Sequence, residues 1–173
     1  MREALVLLLL ALTACVSDTA AAGVVIPPAE REPAPDVAGV TLQGDQLALE
    51  DLDGVVLVNF WASWCGPCVA EVPHLSAVAT EFADEGVHVL GVNIKDQRAN
   101  AVAFEAEHRV TYPSLHDEAA VVAASFGAIG PAGLPSTIIL DADHNVAVRL
   151  FGAVTARQLV PYLQDLLAEP EAG

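Results

Sequence analysis

The chain is poor in the residues that most often betray a partner. Lysine occurs once, at Lys95, and lysine and arginine together number 7 against 23 acidic residues, a formal charge of −16. So large an acidic excess excludes a nucleic-acid surface and electrostatic binding to anionic lipid heads. Cysteine occurs three times, too few and too uneven for a disulfide framework. A single CxxC stands without a second one and without a suitably spaced histidine pair, so the four ligands of a structural zinc site are missing. His74, His88, His108, His116 and His144 show no ligand spacing and read as structural or solvated. No apolar run approaches the ~20 residues that span a bilayer. Flavin and nicotinamide motifs are absent, as is the Pro-x-x-x-Thr-x-x-Cys segment of a peroxidase, and no cofactor is expected.

What is plentiful is alanine and valine. Apolar residues make up 54% of 173, which suits one compact α/β domain with short appendages. The first 14 residues carry Arg2 and then an apolar run from Ala4 to Leu12, the pattern of a secretory signal. Leu12-Thr13-Ala14-Cys15 resembles a bacterial lipobox. That resemblance implies cleavage before Cys15 and a lipid on its thiol, so that Cys15 is an anchor to the membrane rather than a redox group; plain secretion is the alternative. Acylation at more than one position would exceed the weak grip of a single chain. Residues 15–36, rich in alanine and proline and without period, read as a flexible linker. The folded domain is expected over 37–170, with a short tail at 171–173.

Within it, Val40–Leu42 and Leu47–Leu49 read as a hairpin around Gly44, and Val55–Trp61 as a central strand buried on both faces. Val69 to Asp84 has a helical apolar face (Val72, Leu75, Val78, Phe82), ended by Gly86, with a kink expected at Pro73. Val87–Asn93 is a second buried strand, and 99–108 and 118–126 read as helices. Thr137–Leu140 and Val146–Leu150 read as an antiparallel pair, followed by a helix capped by Thr155 and running to about Ala168. The order predicts a mixed sheet between helical layers.

Trp64-Cys65-Gly66-Pro67-Cys68 falls where the central strand ends and a helix begins. A cysteine at a helix N-terminus meets unpaired N–H groups and the positive end of the dipole, which favour thiolate. Cys65, the outer cysteine, is the expected nucleophile, and Cys68, one turn further in, resolves the mixed disulfide. Gly66 keeps the turn tight, and Pro67 sits where a missing N–H costs nothing. Haem attachment would need histidine at position 69, where valine stands. A purely structural disulfide across two residues would constrain little chain entropy. Glu71 follows Cys68 by three residues and shares its helix face, placed to accept or return a proton; a solvated helix glutamate is the ordinary reading. Trp61 and Trp64 are expected to shape the surface around the thiols.

The string from Val56 to Cys68, with Gly133-Leu134-Pro135-Ser136-Thr137, resembles the thioredoxin superfamily. The resemblance implies a thioredoxin-like α/β/α sandwich with an N-terminal β-hairpin and a central helical insertion. It also implies a cis-proline at Pro135 beside the cysteine pair, and a substrate surface including Trp64, Gly66, Pro67 and Leu134. Asn59, Glu71 and the stretch Gly91–Asp96 are similar to the exported, membrane-bound TlpA/ResA-like branch, which includes cytochrome c maturation proteins. Pro131-Ala132-Gly133 lengthens the approach to Leu134 relative to many members, so the rim facing the substrate is expected to differ.

These readings point to an extracytoplasmic thiol–disulfide oxidoreductase that reduces exported cysteine-containing proteins such as apocytochrome c, recharged by a membrane thiol donor. Disulfide donation in the reverse direction is the alternative. A copper chaperone using Cys65, Cys68 and His74 is a third reading, from a different class.

Overall fold

The computed structural model describes residues 21–170. The expected signal segment, the lipidation site Cys15 and the tail 171–173 lie outside the described residues. The hydrophobic run Val55–Trp61 becomes β4, buried along its whole length, as a strand covered on both faces must be. Parallel to it lies β5 (Val87–Ile94), and beyond that β6 (Ser114–Asp117). On its other side β7 (Ser136–Leu140) pairs antiparallel, then β8 (Val146–Phe151), then β1 (Ala22–Val25) at the edge. The six-stranded mixed sheet therefore runs β1-β8-β7-β4-β5-β6. A separate hairpin, β2 (Ala38–Val40) with β3 (Gln46–Ala48), touches the β6 edge through a bridge between Thr41 and Leu115.

Alternation along the strands sorts the core into two layers. Val55 and Leu57 face α1 (Gly66–Glu81) and α4 (Ala156–Leu167), packing on Leu75, Val78, Leu159 and Leu163. Val56, Val58 and Phe60 face the opposite layer, built from Val37, Leu49 and the short helix α3 (Val121–Ser125) with Phe126 behind it. A third cluster gathers at the end of β4, where α2 (Arg98–His108) lays Ala101 and Phe104 against Trp61, Cys65, Cys68 and Val72. The expected thioredoxin-like sandwich is the observed one.

Four local expectations change. The helix placed at 118–126 begins only at Val121, because the Asp117 carboxylate accepts from the N–H groups of Val121 and Ala123 and fixes the start there. α1 continues as helix through Pro73 to Glu81 and is followed by a 3-10 turn to Gly86, whose φ of 81° suits glycine. Residues 22–36, expected as linker, are docked. β1 pairs with β8, Ile26 donates to the Ala147 carbonyl, and Arg31 forms ion pairs with Asp141 and Glu169. Trp61 is core rather than surface, its indole N–H donating to Ser114 Oγ at 3.3 Å.

Candidate active site

The site is built where β4 runs out. Cys65 is the N-cap of α1, Gly66 and Pro67 are its first two residues, and Cys68 follows one turn in. The two cysteines form a disulfide with Cα atoms 5.4 Å apart. Both are buried, at 4% and 1% exposure, yet they border different spaces. Cys65 lines an open groove of about 480 Å³ with Trp64, Gly66, Pro67, Ile94, Lys95, Pro131, Ala132, Gly133 and Leu134. Cys68 lines an enclosed gap on the inner side, with Asn59, Trp61, Glu71, Val72, Phe104, Val110 and Tyr112. Cys65 borders the open groove, Cys68 the inner gap.

The loop before the pair is tied down by Asp96. Its Oδ2 accepts from the Ser63 N–H at 2.6 Å and from Asn93 Nδ2 at 3.0 Å; its Oδ1 accepts from Ser63 Oγ and the Gln97 N–H, both at 2.9 Å. Burial pushes the Asp96 carboxyl up, but these four donors outweigh it and hold it below its ordinary value. Trp64 is 61% exposed, and its indole N–H donates to the Lys95 carbonyl at 3.0 Å. A close approach between β5 and β6 supports this end: a Cβ on Gly91 would stand 2.3 Å from Ser114 Oγ.

The Leu134–Pro135 peptide bond is cis and leads directly into β7. Leu134 packs against Cys65's cluster and against the core layer beneath β7. Pro131-Ala132-Gly133 forms the groove wall facing Trp64 and Lys95, so the lengthened approach reaches the rim.

On the inner side Glu71 is buried, at 1% exposure. Its Oε1 accepts from Asn59 Nδ2 at 3.0 Å, and its Oε2 from the Val154 N–H at 3.2 Å. Asn59 Nδ2 also donates to Thr137 Oγ1 at 3.1 Å, linking the carboxyl to the strand that follows Pro135. Burial raises the Glu71 carboxyl to about 7, against the smaller lowering effect of those two donors. Tyr112, lining the same gap, is pushed up by burial and by the charges of Glu71 and Glu105. Sequence reasoning placed Asn59 and Glu71 here but missed Thr137, Val154 and Tyr112, which are joined only by the fold, and missed the Ser63–Asp96 clamp. Among the described residues no group of three or more His, Cys, Asp and Glu side chains converges as a metal site.

Residues 31–149 match the AhpC/TSA family. The chain belongs to the AhpC/TSA family. It is 30% identical over 134 residues to the thiol-disulfide oxidoreductase ResA of Geobacillus thermodenitrificans, covering 77% of this chain and 75% of that one. A secreted thiol-disulfide isomerase from Corynebacterium glutamicum superposes with a TM-score of 0.80 at 32% identity, over 85% of this chain and 92% of that one. A DsbF homologue from Corynebacterium diphtheriae gives 0.78 at 31%, over 83% and 92%. Within the AhpC/TSA family, then, this is a thiol–disulfide oxidoreductase, with Cys65–Cys68 as the CxxC disulfide such exchange requires.

Proposed function

We propose that the protein reduces disulfides in exported proteins, with Cys65 as nucleophile and Cys68 as resolving thiol. The observation that carries this is the division of the pair between an open groove at Cys65 and an enclosed gap at Cys68. In the reduced protein, the Cys65 thiolate, favoured by the α1 N-terminus, attacks one sulfur of a client disulfide. A mixed disulfide forms and the other client sulfur leaves as thiolate. Cys68 then loses its proton and attacks the Cys65 sulfur; the Cys65–Cys68 disulfide forms and the second client thiol leaves. Two electrons pass from the pair to the client. Glu71, one turn from Cys68 in the same enclosed gap and poised near neutral pH, takes that proton and returns it on re-reduction. Leu134 and Pro135 shape the wall against which the client backbone lies, beside Trp64, Gly66 and Pro67.

No helix among the described residues is long and apolar enough to cross a membrane. We place the protein outside the cytoplasm, exported by residues 1–14 and held by a lipid on Cys15, with a membrane dithiol recharging the pair. Apocytochrome c is the client class that the TlpA/ResA-like resemblance suggests. The reverse direction, disulfide donation to exported proteins, is a second reading, since the same Cys65–Cys68 disulfide can be passed on as well as formed.

The deciding experiment equilibrates the full chain in glutathione buffers and reads the Cys65–Cys68 thiol content. A potential near the thioredoxin value of about −270 mV supports reduction; one near the strongly oxidising end, about −120 mV, makes disulfide donation the function. In parallel, Cys68→Ser should accumulate client mixed disulfides at Cys65 on non-reducing gels. Their absence, with Cys65 still reactive, would overturn the assignment of Cys68 as resolving thiol.

A further inference from the structure

Ten residues line the groove at Cys65, and one of them carries a charge: Lys95. It is the only lysine in a chain of formal charge −16, yet it stands on the rim that faces the client. The rest of the lining is apolar or small, so a cation here is not one of many in a polar surface. Nor is it neutralised from within. The adjacent Asp96 is buried and spends both carboxylate oxygens on four donors, and Lys95 makes no ion pair among the described residues.

The backbone at Lys95 is held in the left-handed region at φ 50°, uncommon for a side chain of this size. Two hydrogen bonds keep it there: its N–H donates to the Asp117 carbonyl at 3.3 Å, and its carbonyl accepts the Trp64 indole at 3.0 Å. Trp64 belongs to the cysteine loop and Lys95 follows β5, so this bond fixes the point on the groove rim from which the exposed Lys95 side chain extends. A positive charge rooted at the rim of an apolar groove recognises an anionic side chain in an otherwise apolar strand.

We infer that Lys95 selects clients, the preferred segment carrying an aspartate or glutamate next to the cysteine that Cys65 attacks. The inference rests on the proposed reductase function and names its substrate class. The acidic excess of the chain as a whole would otherwise disfavour such a segment.

The test uses disulfide-linked fluorogenic peptides identical except for Glu, Gln or Lys beside the cysteine. They are reduced by the full chain under a chemical dithiol that recharges it. For wild type, kcat/KM should fall in the order Glu, Gln, Lys, by about two- to fivefold per step at low salt, the range of an exposed ion pair, and the spread should shrink with added salt. Lys95→Gln should collapse the spread and Lys95→Glu should invert it. If wild type reduces all three peptides at equal rates, the selectivity is overturned while the reductase stands. If it reduces none, the reductase reading itself fails. A third outcome, an equal loss on all three peptides in Lys95→Gln with an upward shift of the Cys65 thiolate absorbance titration, makes Lys95 a thiolate partner and overturns client selection.

Discussion

The Glu71 carboxyl sits where charge is costly, enclosed beside Cys68 and given only two donors, Asn59 and Val154. Its folded value near 7 lies above the ordinary 4.5, so the folded protein binds a proton that the unfolded chain has already released. Stability from this group is complete below about pH 4.5 and is lost as pH rises through about 7. Between pH 5 and 8 the loss should be on the order of 2 kcal/mol, and Glu71→Gln should remove that slope in urea titrations at the two pH values. The glutamine amide cannot accept from both N–H groups, which lowers the variant's stability most where wild-type Glu71 is neutral; the slope is the diagnostic. An unchanged slope would place the titration elsewhere. At this scale much was legible: strand-to-helix placement and one-turn spacing bring Cys65, Cys68 and Glu71 together from the sequence alone. Lys95 and Asp96 were visible as letters only. Nothing in their spacing tells that one faces the groove and the other clamps Ser63, because β5 meets the cysteine loop only through the sheet.

Elements whose sequence announces their burial were found, and those defined by their partners were not. β4 and β5 are long apolar runs, and α4 opens with Thr155 and Gln158 as a capping box. β6, only four residues with histidine and aspartate among them, is a strand because β5 presents an edge to it. β1 likewise exists through β8, and its own residues are exposed. The segment between β5 and α2 shows how polar chemistry replaces apolar pattern here. Asp96→Asn keeps one accepting oxygen where two are needed, leaving donors of Ser63, Asn93 or Gln97 without a partner. We expect a loss of about 1–3 kcal/mol in urea unfolding at pH 7. Because the wild-type carboxyl is held below its ordinary value, its contribution is present at neutral pH and fades as pH falls through the folded value, so variant and wild type should converge in acid. A gap that persists unchanged at low pH would point to packing instead.

Across the whole molecule, the N-terminal segment closes the structure by crossing it. Arg31 reaches the turn between β7 and β8 through Asp141 and the end of α4 through Glu169, with its Nε donating to the Ile26 carbonyl. Those partners hold the guanidinium more basic than usual, the Glu169 hydrogen bond most of all. Arg31→Met should cost about 2 kcal/mol and lower Tm by several degrees in calorimetry, while speeding proteolysis between residues 22 and 36. If cleavage there is no faster, strand pairing alone holds the segment. Composition misled at this scale: alanine and proline without period read as linker, although Pro33 bridges Asn145 and the Glu32 carbonyl accepts from Val146. Docking from Ala22 onward also sets a length. With Cys15 acylated as proposed, six residues separate the lipid from β1, a contour of about 20–25 Å even fully stretched. The enzyme would then hang on a short leash, its clients and its electron donor sorted by reach: only disulfides that come to the bilayer would be within its grasp.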